Sequence, residues 1–182
     1  QMCIRDRGAS HYLYDHIRLL DYFSSGNLKE LAQKITLDNA MLNYLDNTQN
    51  NANNPNENYA REFLELFTIT KGEQIGEGDY STYTENDVIM AAKVFSGFKT
   101  KLDRTIIDPD TGIPMGRISV NQHDQSTKIF SHAFDNYELS GGTDENSIML
   151  ELHQFVDMIF NKEETARACL LYTSDAADDV VG

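Results

Sequence analysis

Two short blocks of this chain hold side chains that could do chemistry. In the first, Glu57, Arg61 and Glu65 recur at every fourth position, with Glu62 beside them. On a helix that spacing stacks the three into one row. A carboxylate held there could act as a general base or bind a cation. The plainer reading of the same row is a solvated ladder of ion pairs, or a tie from Arg61 to a neighbouring element. Glu62 has Asn58, not a carboxylate, one turn earlier. In the second block His123 and Asp124 are adjacent and Lys128 follows. A His beside an Asp could ligate a divalent metal or shuttle protons. Two ligands fall short of the three that a catalytic zinc usually takes from protein, and His132 or His153 could join only through the fold. The plainer reading is that His123 and Asp124 order their own loop by hydrogen bonds.

Other motifs carry less. Asp108-Pro109-Asp110-Thr111-Gly112 resembles the start of a calcium loop but lacks the later ligands and the distal Glu. A hairpin turn is the better reading. His11 and His16 stand five apart, not the four that would align them, and are expected at the surface or in packing. Tyr12, Tyr14, Tyr22 and Phe23 are expected in packing too. There is no phosphate loop, G-x-S-x-G elbow or HExxH pair. No cofactor is predicted, although a divalent metal is possible, with His123 and Asp124 as weak ligands.

These residues must be positioned by helices. Leu13, Ile17 and Leu20 recur at helical spacing within His11–Phe23. Asn27 can cap a second helix through Ile35, and Asp38 a third bearing Met41, Leu42 and Leu45. Seven of the twelve residues from Asn47 to Asn58 are Asn, which predicts a surface loop. Residues 56–67 then read as an amphipathic helix with Tyr59, Ala60, Phe63, Leu64, Leu66 and Phe67 on its buried side. Thr84 and Asp87 form a near capping box for a helix ending near Gly97. Residues 104–121 predict a β-hairpin, with strands Arg104–Asp108 and Ile113–Asn121 joined across Pro109–Gly112. A short strand is expected at Lys128–Phe130 and a hinge at Gly141-Gly142. Asp144 or Thr143 opens a further helix carrying Ile148, Leu152, Phe155, Val156 and Ile159, and another begins near Lys162. The expected fold is mainly α, a helical fragment with that β-hairpin insertion.

The chain's 182 residues include 15 Lys and Arg against 29 Asp and Glu, a formal net charge of −14. Nucleic-acid binding is not expected, since it calls for clustered basic residues. No apolar run approaches the roughly 18–20 residues of a transmembrane span. The two cysteines are too few for a disulfide scaffold or a four-thiolate zinc site. The ends look different from the rest. One permitted coding of Gln1–Arg7, reverse-complemented and read in a shifted frame, gives Cys-Leu-Leu-Tyr-Thr-Ser, which is Cys169–Ser174. Such a relation points to inverted copies of a sequencing adapter. Residues 1–7 and 169–182 are therefore read as adapter-derived tails, and 8–168 as a fragment of one larger helical domain. Both cysteines fall in the tails.

The residues from about Leu37 to Ala168 resemble a known family. Met41-Leu42-Asn43-Tyr44-Leu45-Asp46-Asn47 comes first. Pro55-Asn56-Glu57-Asn58-Tyr59-Ala60-Arg61-Glu62 follows with its Leu64-Glu65-Leu66-Phe67-Thr68 continuation. Tyr83-Thr84-Glu85-Asn86-Asp87-Val88, then His123-Asp124 and Lys128, complete the order. This set is similar to the bacterial domain of unknown function 1800 family. Phe98, after Ser96-Gly97, stands where the family more often has Trp. The resemblance implies a longer, largely helical, exported protein located in the periplasm or cell envelope, with a sulfatase-like partner. It implies no established activity. Two functional readings follow: a binding or scaffolding module of the cell envelope, or a metal-dependent or acid/base hydrolase. The hydrolase would join Glu57, Arg61 and Glu62 with His123, Asp124 and Lys128.

Overall fold

The structure, a computed structural model, describes residues 10–165. The tails assigned to an adapter lie outside these residues, as does most of the helix expected from Lys162. Among these residues six α-helices are joined by three two-stranded antiparallel hairpins, so the chain is mainly α as its periodicity implies. Among the described residues no helix is long and apolar enough to cross a membrane.

Helix α1 spans Ser10–Tyr22, but its apolar stripe is turned the other way from expectation. Ile17 and Leu20 are exposed, as are Tyr14 and Tyr22, while Tyr12, Asp15, His16 and Leu19 face inward. Two polar contacts to buried side chains hold this orientation. Asp15 receives a bidentate grip from Arg104, at 2.8 Å on both oxygens, and His16 Nδ1 lies 2.6 Å from Asp38. Rotating the stripe inward would strand both pairs. Helix α2, Leu28–Ile35, starts where Asn27 caps Lys29 N–H. Helix α3, Asn39–Tyr44, starts on the Asp38 carboxylate.

The Asn-rich segment is not simply a surface loop. Asn47 and Asn50 are fully buried. Asn47 Nδ2 donates to Phe95 O at 3.0 Å and Asn50 Nδ2 to Ala92 O at 2.8 Å. Both carbonyls belong to the end of helix α5, Glu85–Val94, where backbone acceptors run out of helical partners. Only an amide, with donors and an acceptor on one short side chain, serves them and still takes Asn56 N–H on Asn50 Oδ1.

Helix α4, Asn58–Glu62, runs into a wider π-type turn over Phe63–Phe67. Thr68 Oγ1 donates to Phe63 O, and Ile69 and Thr70 N–H both go to Leu64 O. The extra residue per turn shifts the inward face. Tyr59, Ala60, Phe63 and Leu64 are buried as predicted, but Leu66 and Phe67 turn outward and Thr68 and Ile69 are buried instead.

Strands β1 (Gln74–Gly76) and β2 (Asp79–Tyr80) form a small hairpin before α5. The expected 104–121 hairpin is present but rooted earlier. Its ladder pairs β3 (Phe98–Lys99) with β4 (Arg117–Ile118), and near the tip only Ile107 and Pro114 bridge. Arg104 cannot continue a strand, because its φ is +55°. β5 (Lys128–Ile129) pairs with β6 (Glu138–Leu139), and α6 follows over Glu145–Phe160, capped by Asp144. The core gathers Phe63, Phe95, Phe130 and Phe155, with ring centroids 5.1–6.0 Å apart. Edge-to-face and tilted pairs of this kind add to plain area burial. They clamp α4, α5, α6 and the β5 segment together.

Candidate functional site

The first block folds around Arg61. Its guanidinium meets Glu85 twice, Nη1 to Oε1 at 3.0 Å and Nη2 to Oε2 at 2.6 Å. Glu57 stands 3.3 Å away and Glu65 3.6 Å. The helical row is thus real, but the strongest partner comes from the α5 N-terminus, which sequence spacing did not point to. Hydrogen bonds from Arg61 hold the Glu85 carboxyl below its usual range. The Tyr83 hydroxyl donates to Glu65, and burial followed by that bond pushes the phenol up. Glu62 is half-buried and enters none of these pairs. Arg61 therefore staples α4 to α5.

The second block is sealed inside. The side chains of His123, Lys128 and Glu151 are 0–1% exposed. His123 Nδ1 lies 2.8 Å from Ser96 O and Nε2 lies 2.9 Å from Glu151 Oε2. A carbonyl only accepts, so Nδ1 carries a hydrogen. The carboxylate also only accepts, so a proton must lie between Nε2 and Oε2. It sits on the imidazole or on the carboxyl. Lys128 Nζ approaches Glu151 Oε1 at 2.7 Å. That contact is ionic, since Oε1 accepts no hydrogen bond of good geometry, and Nζ donates to Asp124 O. With an ammonium on Lys128, the three groups carry one net positive charge in either proton arrangement. Asp124, 3.8 Å from Nζ, supplies the balancing negative charge. Burial resists ionisation of Asp124, but the Ser126 hydroxyl and N–H, then Lys128 and Lys93, hold its carboxyl below the usual range.

Glu151 is the member that motif reading missed. One signal was available: Glu151 falls on the stripe of Ile148, Leu152 and Phe155, so α6 must bury a carboxylate. Gly142 N–H donates to Glu151 Oε2 at 2.6 Å. The Gly141-Gly142 pair is a close-packed wedge where a hinge was expected. A Cβ on Gly141 would meet Gln125 O at 2.4 Å, and one on Gly142 would meet Ile148 N at 2.4 Å.

The two blocks stand apart. Glu85 and Ser96, which anchor them, lie at opposite ends of α5, about 15 Å along its axis. No hydrogen bond or ion pair among the described residues links Glu57, Arg61 or Glu62 to His123, Asp124 or Lys128. Both ring nitrogens of His123 are engaged, Nδ1 by Ser96 O and Nε2 by Glu151. Among the described residues no three His, Cys, Asp or Glu side chains gather as metal ligands.

A cleft of about 360 Å³ opens elsewhere, between α2, the 98–118 hairpin and α6. Leu37, Ile113, Met115 and Met149 line it, with Lys34, Arg117, Glu145 and His153 among its polar groups. Lys34 Nζ clasps the hairpin tip, at 2.7 Å from Asp108 and 2.5 Å from Asp110. The Asp-Pro-Asp turn is thereby a hairpin turn clasped by Lys34.

A family model described as Protein of unknown function (DUF1800) matches residues 4–170. No curated protein and no solved structure matches.

Proposed function

We propose, on the premise that the chain belongs to the DUF1800 family of proteins of unknown function, that it is a binding or scaffolding module. The observation carrying this reading is the engagement of the reactive side chains with one another. His123, Lys128 and Glu151 are buried around a shared proton, and Arg61 is ringed by three glutamates. Groups held in this way brace helices and offer no free base or nucleophile to a substrate. The proposal extends to placement in the bacterial cell envelope beside a sulfatase-like partner, as the family resemblance implies.

The test is elemental analysis and fractionation of the full-length protein. The expected result is an envelope-associated protein without stoichiometric metal that co-purifies with the sulfatase-like protein. Tightly held metal that is lost on His123→Ala would overturn the reading in favour of the hydrolase.

A further inference from the structure

The cleft between α2, the 98–118 hairpin and α6 carries charges that its own walls do not neutralise. Its floor is apolar, with Leu37, Ile113 and Met115. At about 360 Å³ it falls at the small end of ligand pockets, which run from about 300 to 1,000 Å³. Most of its charged groups have partners within the fold. Lys34 is held by Asp108 and Asp110, and Asp38 is held by His16. Arg117 and Glu145 are the exceptions: both are exposed where they line the cleft, and neither side chain makes a hydrogen bond or ion pair among the described residues.

Arg117 is unmatched in a second way. On the two-stranded ribbon it stands directly across from Lys99, and like charges so placed oppose each other. Among the described residues Lys99 Nζ has no carboxylate partner either; it donates to Thr48 O and Asn50 O. Burial, then Arg117, holds the Lys99 ammonium below its usual range. A carboxylate arriving at Arg117 would relieve this repulsion. A purely anionic ligand would be repelled by a chain of net charge −14. A ligand that also brings an ammonium to Glu145 carries no net charge and escapes that penalty.

We propose that this cleft binds a short peptide with free ends and apolar side chains, its carboxylate on Arg117 and its amine on Glu145. The proposal deepens the binding reading above and rests on it. Arg117 is suited to the task because a guanidinium grips a carboxylate through two parallel hydrogen bonds.

The experiment is titration calorimetry on the 182-residue chain with Leu-Leu, its C-terminal amide and its N-acetyl form. Leu-Leu is expected to bind saturably, and each capped form about tenfold more weakly, the loss of one charge-assisted contact. In Arg117→Gln the difference between acid and amide should vanish while the acetyl effect remains. Glu145→Gln should show the reverse. Equal binding of capped and free peptides by the unaltered chain would overturn the proposal, as would no saturable binding up to about 10 mM (a free energy near the limit of useful affinity). The capped peptides keep the test decisive if either variant misfolds. Envelope placement and partner co-purification are read separately and would survive that failure.

Discussion

His123 Nε2 and Glu151 Oε2 stand 2.9 Å apart with a proton between them, and both side chains are buried. The pair joins the loop after β4 to the middle of α6, and Lys128 closes the other side of the carboxylate. Such a group is costly to assemble and more costly to break, because a charge left alone in the interior has no water to turn to.

Glu151→Gln is therefore expected to destabilise the chain by about 3–5 kcal/mol, because it removes the buried carboxylate that Lys128 and His123 both contact. The double variant Glu151→Leu with Lys128→Met should recover part of the loss, since it removes both charges. Urea denaturation measures both. A Glu151→Gln effect under about 1 kcal/mol, the size of a surface pair, would show that the group is hydrated.

Arg61→Gln should cost only about 1 kcal/mol, because the Arg61–Glu85 pair is partly open to water and screened. The loss should shrink further in high salt. Denaturation midpoints at low and high ionic strength check this. A salt-independent loss of several kcal/mol would contradict the description of Arg61 as a half-exposed staple.

The buried amides separate sharply from the exposed ones of the same segment. Asn50→Ala leaves Ala92 O and Asn56 N–H without their partner and should cost about 1–3 kcal/mol. Asn53→Ala, at the exposed turn, should stay within about 0.5 kcal/mol of the parent. Thermal melts of the two variants would show the contrast, and equal effects would refute it.

His153, at the cleft, gives a pH dependence of known sign. Burial, then Lys34, with a smaller effect of Lys29 and against the pull of Asp157, holds its imidazole below the usual histidine range. Between its folded value and the unfolded value of about 6.5 the folded chain binds fewer protons. The stability this confers is present above about pH 6.5 and is lost as pH falls through that value toward the folded one. His153→Gln should therefore lose less stability than the parent between about pH 7.5 and 5, a span that brackets the unfolded value. Denaturation at the two pH values measures the difference.

Much of the fold was legible along the chain. Asn27, Asp38, Thr84 and Asp144 cap helices where their side-chain chemistry says they should, because capping is settled within three or four residues. The 3.6-residue period found α2, α5 and α6 for the same local reason. It misjudged α1, where the buried Asp15 and His16 have partners at Arg104 and Asp38 that lie 22 to 89 residues away. It misjudged Leu66 and Phe67 because a π-type turn changes the period itself.

The candidate residues divide in the same way. The Glu57-Arg61-Glu65 row is a matter of helical spacing and was there to be read. That Glu85 is the stronger partner, and that Glu151 completes the His123 and Lys128 group, depends on helices meeting across the core. The local chain therefore determined the elements, their caps and the acidic character of the surface. Tertiary packing decided which charges are buried, which of them share a proton, and that the cleft lies away from both blocks. Charge pairing at 3 Å is set by which surfaces come together, and no spacing along a single helix encodes that.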